Sequence, residues 1–188
     1  MEPNNAQNVS FGKPKATGAL FYAPKGTALP VNATSDLDAA FRNVGFISED
    51  GLVNATETDT ETVNDWSGTK VLSGQTSFGE MFTFNMLEIN QNSMKLYYGE
   101  DNVETDGDGN ITAIKVKPTE LEEVVFVAEV VLTGGRIKRI VVPHGKFVDR
   151  SGEVSYVNFE AVTYPVQLEA YPDTDTSTHA EYFASVAS

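Results

Sequence analysis

The sequence predicts a mainly β fold, a β-sandwich or partial barrel with one or two short flanking helices. Three observations carry this. Stretches rich in β-branched and aromatic residues recur along the chain, separated by Gly, Asp, Asn and Pro turn chemistry. Only two short stretches carry apolar residues at helical spacing. The count comes to roughly eight or nine strands in 188 residues, which is the arithmetic of a sandwich or barrel.

In chain order, a flexible polar arm (residues 1–14) precedes a single domain (15–171), and a polar tail (172–188) follows it. "GALFYAP" (18–24) is the first strand. "TSDLDAAFRN" (34–43) predicts a short helix, with Ser35 as N-cap, Asp36 and Asp38 in the first turn, and Leu37, Ala40 and Phe41 on one side. "VGFIS" (44–48) reads as a strand and the acidic stretch 49–68 as a long loop. "TKVLSGQT" (69–76) and "EMFTFNMLEI" (80–89) read as two further strands. "NQNSMKLYYG" predicts the second helix, Met94, Tyr97 and Tyr98 sharing a side and Gly99 at C′.

"NITAIKVK" (110–117), "EEVVFVAEVVL" (122–132) and "RIKRIVVPHGKF" (136–147) are strands. The last two form a hairpin around Gly134-Gly135, a two-residue turn whose positions both accept positive φ. In "VSYVNFEAVTYPVQLEAY" (154–171) the apolar parity changes, which predicts a bulge near Ala161. Pro165, with no amide donor, belongs at an edge or beside that irregularity.

"ATETDTETVNDWSGTK" (55–70) is the most unusual stretch. Extended, it would put Glu57, Asp59 and Glu61 on one face and Thr58, Thr60 and Thr62 on the other. Neither face has an apolar stripe. Such a segment must be solvated, line a wet channel, or meet a partner.

The net charge is −14, from 27 acidic and 13 basic residues. That argues against tight phosphate binding, which needs clustered Lys and Arg. Absence of cysteine removes disulfides, thiolate nucleophiles and sulfur-ligated metals, and fits a reducing compartment. No basic-then-apolar leader opens the chain and no run reaches membrane-spanning length, so a soluble, unsecreted protein is expected.

"ETDGDGNI" imitates the start of a calcium loop, yet Lys115 occupies the position of the bidentate Glu, and the residues after Gly109 alternate as a strand. It reads as a turn. His144, Asp149 and Ser151 invite a triad, but three residues of one stretch give no reason to converge on an oxyanion donor. "GTALP" and "SGTK" lack phosphate-loop spacing. Basic residues collect in "GGRIKR" with Lys146 and Arg150, either as a solvated hairpin or as a counterpart for an acidic segment of another copy.

"GALFYAPKGTALP", "AAFRNVGFISEDGL", "VNDWSGTKV" and "FTFNMLEIN" running into "SMKLYYG" follow one another from Gly18 to Gly99. In that order they resemble the major tail tube proteins of long-tailed bacteriophages. The resemblance implies a virion protein assembled in the host cytoplasm, with no enzymatic activity, no cofactor and no membrane. Its partners would be its own copies, in six-membered rings sharing an inner β-barrel and stacked into a tube, and other tail proteins at the tube ends. DNA would pass through without specific binding.

Contact between subunits or rings is then expected at Glu57, Asp59, Glu61, Asp65 and Trp66, with Arg136 and Lys138 as candidate counterparts. Glu57, Asp59 and Glu61 are also the candidates for the lumen. Trp66 has two readings of equal weight, an interface anchor or a lid over its own core. A different class, a monomeric adhesin or carbohydrate-binding sandwich, would use the same composition and should show an exposed aromatic cluster. A hydrolase lacks a nucleophile or carboxylate pair.

Overall fold

The computed structural model describes residues 4–6, 9–15, 18–118, 120–149 and 153–185, with only the backbone of Asp149. Its strands are β1 (Gly12–Pro14), β2 (Leu20–Pro24), β3 (Arg42–Asn43), β4 (Val53–Asn64), β5 (Lys70–Met86), β6 (Val103–Thr105), β7 (Ile111–Ile114), β8 (Glu123–Leu132), β9 (Arg136–Asp149), β10 (Tyr164–Ala170) and β11 (Ala180–Ser185). One α-helix among the described residues, α1 (Gln91–Tyr98), separates β5 from β6.

Among the described residues nine strands form one antiparallel sheet; seven follow the order β3, β2, β8, β9, β10, β5, β4, with β1 and β11 off this path, and it does not close on itself. β8 takes β1 and β2 end to end along one side, and β9 takes β11 and β10 in the same way. β1 and β11 are thereby both tied to the central β8–β9 hairpin. β6 and β7 make a separate small hairpin.

Alternation fixes the core. Phe82, Phe84 and Met86 of β5, Tyr164, Val166, Leu168 and Ala170 of β10, and Val124, Phe126 and Ala128 of β8 point to one face. Met94, Leu96 and Tyr97 of α1 cover it, with the Tyr97 ring edge-on to Tyr164 at 5.3 Å. The helix starts where Asn90 accepts from the Ser93 amide at 2.9 Å and Ser93 Oγ accepts from the Asn90 amide at 3.1 Å. It ends at Gly99, whose φ of 100° few other residues tolerate.

The opposite face of β8 and β9 holds a buried ion pair. Glu129 and Arg139 are 2% and 3% exposed and face each other across the ladder. Arg139 also donates to the carbonyls of Asn32 and Ser35 at 2.7 and 2.8 Å, and Lys15 reaches Glu129 at 2.5 Å. Ions this deep are tolerable only when each lone pair and proton finds a partner. Here the network pins the loop around Asn32–Ser35 to the sheet.

That pinning explains the first departure from expectation. Residues 34–43 contain no helix: Asn32 Oδ1 accepts from the Thr34 and Ser35 amides, Asp38 caps a turn to Phe41, and Ser35 Oγ accepts from Arg139 instead of capping. Leu37 and Phe41 are only half-buried, so no packing recovers the helix. Residues 44–48 make a single bridge, Ile47 to Met86, not a strand. The chain enters β10 only at Tyr164 and no bulge forms at Ala161, because Phe159 turns with φ of 65°. The irregularity lies instead between Gln167 and Leu168, and Pro165 pairs with β5 alone, where its missing amide costs no ladder bond to β9.

The β8–β9 connection has three residues, Thr133 to Gly135, with φ of 79° and 72° at the two glycines. The expected free arm and free tail contribute β1 and β11, which bond to the edges left open on β8 and β9. Arg150 and Ser151 lie outside the described residues.

Candidate assembly surface

The segment expected as a loop over residues 49–68 is mostly strand. β4 pairs from Val53 to Asn64 with β5 from Thr83 back to Lys70, and every residue of β4 is exposed. β5 is a single strand of 17 residues with two characters. From Glu80 to Met86 alternate residues are buried; from Lys70 to Phe78 both faces are wet. The sheet therefore continues past the body as a two-stranded arm, about 30 Å along β4 by strand rise from Thr56, opposite Glu80, to Asn64.

The arm's register sorts its chemistry. Glu57, Asp59 and Glu61 share a face and oppose Gly79, Ser77 and Gly74. A Cβ on Gly74 or Gly79 would meet nothing within 4 Å, so this face is a row of carboxylates beside a bare backbone. Asp59 accepts from Ser77 Oγ at 2.7 Å, and none of the three carboxylates has a cationic partner among the described residues. Thr56, Thr58, Thr60 and Thr62 occupy the other face with Phe78.

The tip is a built turn. Asp65 Oδ1 accepts from the Ser67 amide at 2.9 Å, Ser67 Oγ at 2.7 Å and the Thr69 amide at 2.8 Å, and Gly68 takes φ of 86°. Those bonds, the Ser67 hydroxyl first and the Thr69 amide next, hold the Asp65 carboxyl below its ordinary range. Trp66 is fully exposed, which removes the reading of it as a lid. Val63 and Leu72 pair across the strands just behind it, exposed like Val71. An acidic shaft thus carries an apolar head.

The family model for phage tail tube proteins matches residues 3–186. The chain belongs to the phage tail tube protein family. No curated protein matches it. As a tail tube protein it is a structural component of the virion tail and assembles with its own copies and with other tail proteins. No helix among the described residues is long and apolar enough to cross a membrane.

Within this tail tube protein, Glu57, Asp59, Glu61, Asp65 and Trp66 all lie on the arm, while Arg136 and Lys138 begin β9 in the body. Lys138 already holds Glu181 at 2.5 Å and lies over the Phe183 ring. Arg136 donates to Ser10 Oγ and has no carboxylate partner among the described residues. His144 Nε2 lies 3.0 Å from Lys25 Nζ and 3.2 Å from Glu123. The described geometry brings no nucleophile to it. "ETDGDGNI" is the β6–β7 turn: the Asn110 side chain and amide and the Asp108 amide bond to Asp106 and lower its pKa.

Sequence reading missed the apolar head and the continuity of β5. The signal was present, since even-numbered residues from Glu80 to Met86 continue a strand whose earlier glycines look like breaks.

Proposed function

We propose that this chain is the repeating subunit of a tail tube in which six copies close into a ring, rings stack, and DNA travels through the channel. The observation that carries this is the arm. A two-stranded hairpin is marginal alone in water, and this one leaves both faces and a Trp without cover. An open sheet ending in β4 and β3 also leaves two unlike edges, and heterologous contacts of unlike surfaces that close make rings.

In this reading the arm reaches a neighbouring copy in the next ring. Its head seats Trp66, Val63 and Leu72, and its acidic shaft meets cations of the body. Arg136 suits that role better than Lys138, which Glu181 already occupies. The groove of about 530 Å³ beside β1 does not suit the shaft, because Glu49, Asp50 and Glu181 stand against Lys13 and Lys138 there. Where the shaft borders the channel, Glu57, Asp59 and Glu61 keep DNA off the wall.

Electron microscopy of polymerised protein, or of its source particle, tests this. Six-fold rings with density bridging adjacent rings at the arm are expected. A tube wall made of another protein, with this chain elsewhere in the particle, overturns it.

A further inference from the structure

At Glu80 the body ends and the arm begins. β10 covers β5 as far as Met81, so from Glu80 outward β5 has β4 as its one neighbour. Glu80 is in phase with Phe82 and Phe84, and at 2% exposure it is as buried as they are. An apolar side chain would serve the fold better there, because a buried carboxylate is costly unless fully bonded.

It is fully bonded, and its partners come from separate parts of the chain. Asn54 of β4 donates to Oε1 at 2.9 Å, while the Thr178 hydroxyl and His179 Nδ1, the latter at 3.0 Å, meet Oε2. The His179 ring stands edge-on to Phe82 at 5.7 Å, and its other nitrogen lies 3.7 Å from Glu181. Thr178 and His179 lead directly into β11, which is fixed to β9 in the body.

We propose that Glu80 is a positioning residue that clasps the C-terminal segment to the root of the arm and so sets the direction in which the arm projects. Without it the two-stranded arm has a hinge where it loses its second neighbour. With it, the last strand of the chain becomes a brace for the arm. This rests on the arm being the assembly element, and it assigns the C-terminal strand a part in aiming it.

The chain has no cysteine, so a spin-label pair can be placed cleanly at Thr62→Cys on the arm and Thr112→Cys on β7. Pulsed electron resonance on dilute subunits then reads the spread of arm directions without assembly. The expected result is a narrow distance distribution that at least doubles in width in Glu80→Val, with circular dichroism unchanged. His179→Ala, which removes one strap and leaves Glu80, should broaden it less. A folded Glu80→Val with the original width overturns the clasp; if that variant does not fold, an unbroadened His179→Ala does so. Polymerisation of the same variants is scored separately. A loosened arm that still polymerises normally leaves the clasp standing and removes the arm's role in assembly.

Discussion

In the proposed tube, Trp66 is a side chain that serves the joint between copies and not the subunit, where it is fully exposed. It makes no core contact, so its removal should leave the subunit's stability within about 0.5 kcal/mol, as for other surface positions. At a joint, a buried Trp is among the strongest anchors. Trp66→Ala is therefore expected to raise the critical concentration for polymerisation at least tenfold, about 1.4 kcal/mol per joint, with an unchanged melting curve. Loss of the fold in thermal denaturation would contradict this. Glu80 behaves in the opposite way. Burial acts to raise its pKa, and the bonds from Thr178, Asn54 and His179 outweigh burial and leave it lowered below the ordinary 4.5. A depressed carboxylate stabilises above its unfolded value and loses that contribution as pH falls through the folded one. Arm direction should thus stay fixed at neutral pH and loosen only as pH drops below 4.5, with His179 and Glu181 the other ionisable groups at the site. The spin-label pair measures this, and Glu80→Gln should lack the step.

At the scale of elements, the arm is the part that composition hid. A strand buried on one face announces itself by apolar alternation, as Phe82, Phe84 and Met86 do. A strand wet on both faces has no such signal. What holds β4 is its pairing with β5, which is not a local property, so the stretch read as a loop although its Glu and Thr residues were correctly sorted into faces. The second helix was legible because its apolar side and terminal Gly agree; the first was not, because Arg139, a hundred residues away, takes the Ser35 oxygens that the cap needed. β11 escaped notice for the reason β4 did, since Ala180–Ser185 is set by the free edge of β9. Excising residues 58–78 and joining Glu57 to Gly79 through Asn-Gly keeps Glu80 and its partners. That variant is expected to melt within a few degrees of the parent and to sediment as a monomer at concentrations where the parent forms tubes. Tubes of normal length would remove the arm from the assembly.

For the whole molecule, the disposition of charge matters more than its sum. Lys15, Lys25, Arg42, Lys95, Lys115, Lys138, Arg139 and Lys146 each hold a carboxylate of their own chain. With so many cations engaged internally, the excess of 14 negative charges is carried by carboxylates without a cation of their own chain among the described residues, Glu57, Asp59 and Glu61 of the shaft among them. Reversing it with Glu57→Lys, Asp59→Lys and Glu61→Lys should raise the polymerisation threshold severalfold at low salt. The defect should shrink near 1 M salt, where the Debye length falls to about 3 Å. A threshold indifferent to both the substitutions and the salt would leave the shaft without an ionic role.

The register of the arm also limits how such a protein can change length. β5 carries two more residues than β4 over their shared ladder, absorbed opposite Asp59/Thr60 and Val63/Asn64, and each shift moves β5 out of phase while β4 keeps its alternation. A single inserted residue in β4 would turn every carboxylate beyond it to the threonine side. Lineages that lengthen or shorten this arm are therefore confined to steps of two residues in β4, with β5 free to drift by a bulge, and gaps of odd length in β4 should be rare among natural variants.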